Sequence, residues 1–187
     1  EGDDGDRLVG HLQILATVSN AVHFAHKHGI LHRDIKPDNV LIGTFGDVYL
    51  ADWGVACHLG DEDRSLCGTP SFMAPEMALG ERMDERTDVY LLGAVLHLIL
   101  TGVPRHDGPD VAAVLQHAAA SPSFDYPDDV PAELADLANR ACHVDPSERP
   151  AGAKAFRAAL TDYLRHRDSA ALAAQAERRL GSIRRLA

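Results

Sequence analysis

The chain of 187 residues is long enough for one domain with a short appendage. Its apolar share of 45% and its charged share of 25% are ordinary for a folded soluble protein. The formal net charge of -10 argues against a nucleic-acid or membrane-surface binder, because either would present a basic face.

The first predicted element is a helix over residues 8–28, where apolar side chains recur at helical spacing and Gly29 marks the end. A polar loop follows. Short apolar strands at 40–42 and 48–50 then flank the turn sequence GTFGD, a pattern that predicts a β-hairpin. Residues 52–76 show no hydrophobic period and predict a long loop, which in a compact domain is usually functional or mobile.

The remainder of the chain is predicted to be helical. Four helices are expected, at residues 87–101, 109–120, 131–142 and 151–167. Pro109 is suited to the first helical position of the second of these. Residues 168–187 are rich in Ala and Arg and predict a helical tail or linker. The expected fold is therefore mainly α with one small β-hairpin.

The cysteines and the apolar runs bear on the location of the protein. Three cysteines occur singly, without a C-x-x-C pair: Cys57, Cys67 and Cys142. This pattern predicts neither a disulfide framework nor a zinc site, and we expect a reducing, cytoplasmic environment. The longest apolar run, residues 89–100, is too short to span a bilayer and predicts a buried helix. Because the chain opens on Glu1 without a secretory signal, we expect a piece of a longer cytoplasmic protein.

The polar loop in LHRDIKPDNVLI, residues 31–42, places charged side chains between two apolar runs. A loop that is charged only for solubility is one interpretation, and a chemical site is the other. Two further motifs follow in order, Asp-Trp-Gly at 52–54 and Ala-Pro-Glu at 74–76. One such motif alone is weak, whereas three in fixed order, surrounded by predicted helices, favour the chemical site.

With these motifs the chain resembles the eukaryotic-type (Hanks-type) serine/threonine protein kinases, in bacterial-like form and in their large C-terminal lobe. The resemblance covers about residues 8–167. It implies a C-terminal lobe at 1–167, which is part of the α+β protein-kinase-like fold, with the smaller N-terminal lobe absent from this piece. Consistently, neither a G-x-G-x-x-G loop nor a V-A-I-K strand precedes the polar loop.

The resemblance implies transfer of the γ-phosphoryl group of ATP, with Mg²⁺, to Ser or Thr hydroxyls of proteins. Asp34 would accept the proton of the substrate hydroxyl or orient it, and Lys36 would place a cation against the phosphoryl group. Asn39 and Asp52 offer hard oxygen atoms that suit Mg²⁺ held mainly by ATP phosphates. Leu41 would lie under the adenine ring, although an ordinary core position is equally compatible with the sequence.

Two segments favour Ser/Thr over Tyr specificity within the family, HRDIKPDN with its Lys36 and CGTPSFMAPE with its Thr69. By resemblance Thr69 would contact both Asp34 and Lys36. The alternative is a plain turn residue that precedes Pro70.

Arg33, next to the proposed base, implies regulation by a phosphate on the loop that leads to Ala-Pro-Glu. Ser65 lies four residues before Thr69 and matches the position at which the family usually carries that phosphate. A phosphoserine would bring negative charge and acceptor oxygens to Arg33. The rival interpretation is that nearby carboxylates already supply the charge: Asp61, Glu62 or Asp63.

Five further residues are implied to be structural. His32 and Trp53 would belong to the apolar stack that ties the two lobes together, with Trp53 in place of the commoner Phe. Glu76 and Arg149 would form a buried ion pair, and Asp88 would hold the backbone of the catalytic loop.

Three functions remain compatible with the sequence. The first is a fragment of an active kinase, with ATP and a protein substrate as partners, no nucleic acid, no membrane segment in this piece, and a dimer of the full-length protein left open. The second is a pseudokinase or lone C-terminal lobe that acts as a protein-binding scaffold, against which the intact catalytic and metal-binding residues argue. The third is a small-molecule kinase of the aminoglycoside-phosphotransferase type, against which Gly-Thr-Pro and Ala-Pro-Glu argue. The piece alone is expected to bind ATP weakly and to transfer phosphate negligibly.

Overall fold

A computed structural model describes residues 3–61 and 65–184. Within these residues it contains six α-helices: α1 (Asp3–Lys27), α2 (Pro75–Leu79), α3 (Glu85–Thr101), α4 (Val111–Ala120), α5 (Ala132–Ala141) and α6 (Ala153–Arg184). It also contains four short strands: β1 (Ile30–Leu31), β2 (Val40–Ile42), β3 (Val48–Leu50) and β4 (Cys57–His58). Single 3₁₀ turns lie at Pro37–Asn39, Pro70–Phe72 and Pro146–Glu148. The prediction of a mainly α fold is confirmed.

Helix α3 is the centre of the core. It packs against α1, α5 and α6, and almost every side chain from Thr87 to His97 is buried. The helix begins with a capping box between Asp84 and Thr87, in which the Asp84 N–H donates to the Thr87 hydroxyl at 3.3 Å. The Asp84 carboxylate also accepts from the Arg86 N–H at 2.7 Å. It ends at Gly102, whose φ of +75° is easily adopted only by glycine. Full burial of each Leu or Val on this helix stabilises the fold by roughly 1.5–3 kcal/mol.

The close approach of α3 and α5 depends on a glycine. A Cβ atom at Gly93 would lie 2.6 Å from the Cβ of Ala141 on α5, well inside van der Waals contact. Small residues at this crossing therefore bring the two helix backbones together, and the C-terminal end of α5 is held against the core.

The strands form two small antiparallel pairs. Strands β2 and β3 make the hairpin that the sequence predicts, with Leu41 opposite Tyr49. Strands β1 and β4 form a second pair, with Leu31 opposite Cys57, and β4 lies inside residues 52–76, which the sequence predicted to be a loop. That part of the loop prediction is wrong because this pair is defined by contact between distant segments and leaves no local pattern.

The helix predictions hold with three corrections. Pro109 precedes α4 instead of opening it, and the Asp110 carboxylate caps the helix by accepting from the Ala113 N–H at 2.9 Å. Helix α2 begins at the end of the predicted loop. Helix α6 runs without a break to Arg184, through most of the predicted tail; residues 185–187 lie outside the described residues. No helix in the described part of the chain is long and apolar enough to cross a bilayer.

Candidate active site

The polar loop is fixed to the core by one buried carboxylate. Asp88, in the first turn of α3, is fully buried, and its two oxygens accept from the backbone N–H groups of His32 and Arg33, each at 2.9 Å. The ring of His26, in the last turn of α1, lies 2.8 Å from the same carboxylate. The loop therefore takes its position from two core helices. The sequence did not predict the contact with His26.

The backbone of the loop is strained at Arg33. Its φ of +68° lies in the left-handed region, which costs a residue with a Cβ about 1–2 kcal/mol. This conformation is held by the N–H bond to Asp88, among other contacts, and by a bond from Nε to the carbonyl oxygen of Val55 at 2.6 Å. Asp52 has the same conformation, with φ of +59°. Strain that the surroundings enforce in this way is typical of functional sites.

Three polar side chains meet next to Arg33. The carboxylate of Asp34 accepts from the Thr69 hydroxyl at 2.8 Å and pairs with the Lys36 ammonium at 2.9 Å. The ammonium also donates to the Thr69 oxygen at 2.7 Å, which closes a triangle. The structure therefore brings Thr69 to both residues that the sequence interpretation assigned to it.

A glycine permits this approach. Gly68 has φ of +92°, and a Cβ there would lie 2.6 Å from the carbonyl oxygen of Arg33. Any side chain at this position would push the Thr69 segment away from the loop.

The electrostatics of the triangle keep Asp34 ionised. Burial alone would raise the pKa of Asp34. The hydrogen bonds from Lys36, Thr69 and Asn39, together with the positive charge of Lys36, outweigh burial, so the pKa lies below the usual carboxyl value. A carboxylate of this kind is a hydrogen-bond acceptor that orients a hydroxyl group, and it is a weak base before the reaction begins.

The hairpin presents the two candidate metal ligands. The side-chain nitrogen of Asn39 donates to the backbone oxygen of Asp34 at 2.7 Å and to its carboxylate at 3.1 Å, which leaves the amide oxygen as the atom available for ligation. The Ala51 N–H donates to the Asn39 backbone oxygen at 2.8 Å, so the next residue, the exposed Asp52, follows on the neighbouring strand end. One amide oxygen and one carboxylate fit Mg²⁺, which prefers oxygen ligands and keeps others from phosphate and water.

His32 and Trp53 pack against each other beside the ligands. Their ring centroids are 4.5 Å apart in an edge-to-face arrangement. Nδ1 of the buried His32 accepts from the Asp34 N–H at 3.2 Å, so Nε2 carries the proton and donates to the Ala51 oxygen at 3.1 Å. This ring therefore links the loop to the segment that ends in Asp52.

The outer face of the hairpin is apolar and exposed. Leu41 is 54% exposed and Tyr49, across the ladder, is 57% exposed. Of the two interpretations of Leu41, the ordinary core position is therefore wrong. An adenine contact stays a prediction.

The regulatory residues are only partly placed. Arg33 is buried and Ser65 is exposed. The carboxylate of Asp61 accepts from the His58 N–H at 2.9 Å. Glu62 and Asp63, the other candidate sources of negative charge, lie outside the described residues.

Glu76 and Arg149 form a buried, bidentate ion pair. The two guanidinium nitrogens Nη1 and Nη2 lie 2.7 and 2.8 Å from the two carboxylate oxygens. The remaining guanidinium N–H groups donate to backbone oxygens of three residues: His143, Arg86 and Val144. The guanidinium carbon lies 4.9 Å from the centroid of the Tyr90 ring. The pair joins α2, which follows the Thr69 segment, to the turn before α6.

A family model described as the protein kinase domain matches residues 11–163. The serine/threonine-protein kinase PknB of Mycolicibacterium smegmatis is 42% identical over 118 residues, which cover 59% of this chain and 19% of that protein. PknD of Chlamydia trachomatis serovar L2b is 32% identical over 185 residues, which cover 82% of this chain and 19% of that protein. PknB of Mycobacterium tuberculosis is 36% identical over 118 residues, which cover 59% of this chain and 19% of that protein. The chain spans about a fifth of the length of these curated relatives.

The ion pair gives a stability prediction. Glu76→Gln keeps the shape of the side chain but leaves the buried Arg149 without its counter-charge, and we expect the free energy of unfolding to fall by about 3–5 kcal/mol. The matched control is Asp136→Asn, which removes the exposed pair with Arg140 on α5 and should change the free energy by less than about 0.5 kcal/mol. Urea denaturation of both variants measures the difference. Equal values for the two would contradict the role of the buried pair.

Proposed function

This chain belongs to the protein kinase family, in its Hanks-type serine/threonine branch, and from that premise we propose that it supplies the base, the metal ligands and the protein-substrate platform of a kinase that phosphorylates Ser and Thr side chains. The observation that carries the proposal is the triangle of Asp34, Lys36 and Thr69. The acceptor Asp34, the cation Lys36 and the hydroxyl of Thr69 meet within hydrogen-bond distance. Thr69 belongs to residues 68–76, from Gly-Thr-Pro to Ala-Pro-Glu, which are the protein-substrate platform in this proposal.

Each side chain has a distinct task in this proposal. Asp34 accepts a hydrogen bond from the incoming hydroxyl, which aims its oxygen, and takes the proton as the new bond forms. Lys36 is free to shift from Thr69 towards developing negative charge at the phosphoryl oxygens, where a nearby cation lowers the barrier. Asn39 and Asp52 would hold Mg²⁺, which supplies charge neutralisation on the phosphates of ATP, the phosphoryl donor.

In this proposal the nucleotide site needs a second wall that the described residues do not supply. The exposed Leu41 and Tyr49 form an apolar face beside the metal ligands, open to solvent on its outer side. A ligand site normally encloses most of its ligand, so one such face gives weak binding. We infer that another part of a longer kinase, its N-terminal lobe, covers the adenine, and that residues 1–187 alone transfer phosphate negligibly. A cytoplasmic location suits this function because ATP is the donor.

The chemical assignment predicts the effect of two substitutions in the full-length protein. Asp34→Asn removes the proton acceptor at constant shape and should lower the rate of phosphate transfer by about 10²–10⁴-fold. Asp52→Asn should also lower the rate and raise the Mg²⁺ concentration needed for half-maximal activity, since a metal-binding charge is lost. Transfer of radiolabelled phosphate to a generic protein substrate is the assay.

The control for both is Asp47→Asn, in the exposed turn of the hairpin, which should keep the parental rate. If Asp34→Asn and Asp52→Asn also keep it, the assignment of the site is wrong.

We further propose that phosphorylation of Ser65 activates the kinase. Ser65 is exposed and therefore open to a second kinase, and it lies four residues before Thr69. A phosphoserine carries about −1.5 to −2 charges and would form charge-assisted hydrogen bonds with the Arg33 guanidinium. Because Arg33 is adjacent to Asp34, such bonds would order the loop where the base and Thr69 meet.

Ser65→Ala tests this proposal. We expect mass spectrometry to find phosphate on Ser65 in the active full-length protein, and the alanine variant to lose most of the activity while keeping its melting temperature. Ser123→Ala, at an exposed serine in another loop, is the control and should be fully active. Parental activity of Ser65→Ala, with no phosphate on Ser65 in the active parent, would contradict this proposal.

A further inference from the structure

His106 is a fully buried polar residue in the loop between α3 and α4, and the sequence interpretation gave it no role. Its backbone N–H donates to the oxygen of Ser71 at 3.1 Å, and its Nε2 lies 3.0 Å from the oxygen of Met73. Both acceptors belong to residues 70–74, which connect Thr69 to α2. The loop therefore contacts the segment that the proposed function uses as its protein-substrate platform.

The hydrogen-bond network behind His106 determines which ring nitrogen carries the proton. The Ser121 hydroxyl donates to the backbone oxygen of Cys142 at 2.8 Å. The Tyr90 hydroxyl, 2.6 Å from the Ser121 oxygen, must then donate to it. The Tyr90 oxygen, 2.9 Å from Nε2 of His106, is left as an acceptor. Nε2 therefore carries the proton, which the oxygens of Tyr90 and Met73 share.

The surroundings keep the ring neutral. Three basic groups face it: Arg105 from its own loop, His97 from α3, and His117 from α4 with its ring centroid 5.2 Å away. Burial and then the charges of Arg105 and His117 lower the pKa of His106 to about 3, despite the bond to Met73 that raises it. The other ring nitrogen, Nδ1, is buried and has no hydrogen-bond partner within the part of the chain that the structure describes.

Residues 69–74 are therefore attached on two sides. The Thr69 hydroxyl joins their start to Asp34 and Lys36, and His106 joins their middle to Tyr90 in the core. A backbone carbonyl outside regular structure, such as that of Met73, is fixed in direction only when a donor binds it. The two attachments together fix the position of residues 70–74.

We propose that His106 is a positioning residue for the protein substrate, holding residues 70–74 through its Nε2–H group. This rests on the proposed kinase function and deepens it. In the proposed function ATP would lie on the other side of Asp34, at the hairpin, so the loss of this donor would affect the binding of the peptide and leave the binding of the nucleotide as it was.

Two substitutions separate the donor from the volume of the ring. His106→Phe keeps a ring but has no N–H, so the buried oxygens of Met73 and Tyr90 lose their donor. His106→Gln carries its amide nitrogen at the same distance from the backbone as Nε2 and restores that donor. In the full-length kinase, His106→Phe should raise KM for the protein substrate by up to about tenfold, the worth of the hydrogen bond that holds the Met73 carbonyl in its binding position, with KM for ATP and kcat unchanged. His106→Gln should return KM to the parental value.

A parental KM in His106→Phe overturns the proposal. So does an equal fall of kcat in both variants without a change in KM, because that result indicates a general structural role.

A second measurement separates this proposal from the proposed function. If the full-length parent protein phosphorylates no protein substrate, the proposed function is wrong. The attachment of residues 70–74 by His106 is measured independently, from amide hydrogen exchange over these residues. Exchange should be faster in His106→Phe and parental in His106→Gln. Parental exchange in both variants overturns the attachment by His106.

Discussion

The candidate site depends on one buried carboxylate. Asp88 has no exposed surface, and its oxygens are surrounded by the N–H groups of His32 and Arg33 and by the ring of His26. A buried carboxylate without such donors would be strongly destabilising, so the loop cannot leave it without a large energetic penalty. Conversely, the left-handed conformation of Arg33 is costly and persists because Asp88 holds its N–H. Loop and core helix each need the other.

The segment that faces the loop is attached along its whole length. Thr69 binds Asp34 and Lys36, His106 binds the Met73 carbonyl, and Glu76 pairs with Arg149. Buried ion pairs contribute little net stability compared with apolar packing of the same volume. Their directional bonds, however, fix the position of α2 relative to the core. The polar contacts therefore define the geometry of the site, while the stability of the fold comes from the apolar burial around α3.

Much of this could be predicted from the sequence. Helices α1, α3, α5 and the start of α6 have clear apolar periods, and the hairpin has a turn sequence between two apolar runs. The start of α4 could not be chosen from propensity, because Pro109 and Asp110 are both good near a helix start. Strands β1 and β4 pair across a long separation and are too short to show a pattern. Leucine is a residue type that usually lies in a core, so the sequence did not show that Leu41 is exposed. Its exposure follows from its place on the outer face of the hairpin.

Some residues of the candidate site could likewise be predicted from the sequence, and others could not. The motifs predict roles for Asp34, Lys36, Asn39 and Asp52 because their spacing within short segments is distinctive. His26 and His106 show no such signal, since their partners lie 62 and 33 residues away in the chain. A single histidine in a sequence is compatible with a metal ligand, a helix end or a buried donor, and only the folded contacts distinguish these.

The most direct test of this account is the activity of an Asp88→Asn variant of the full-length protein. Asparagine keeps the size of the side chain but replaces one acceptor oxygen with an amino group, so a loop N–H would face another donor. The control is Asp84→Asn at the cap of the same helix, where Asn and Asp are about equally good. The account predicts that Asp88→Asn lowers phosphate transfer by about a hundredfold, the effect of a small misplacement of reacting groups, while Asp84→Asn retains the parental rate. A folded Asp88→Asn protein that transfers phosphate at the parental rate would contradict the account.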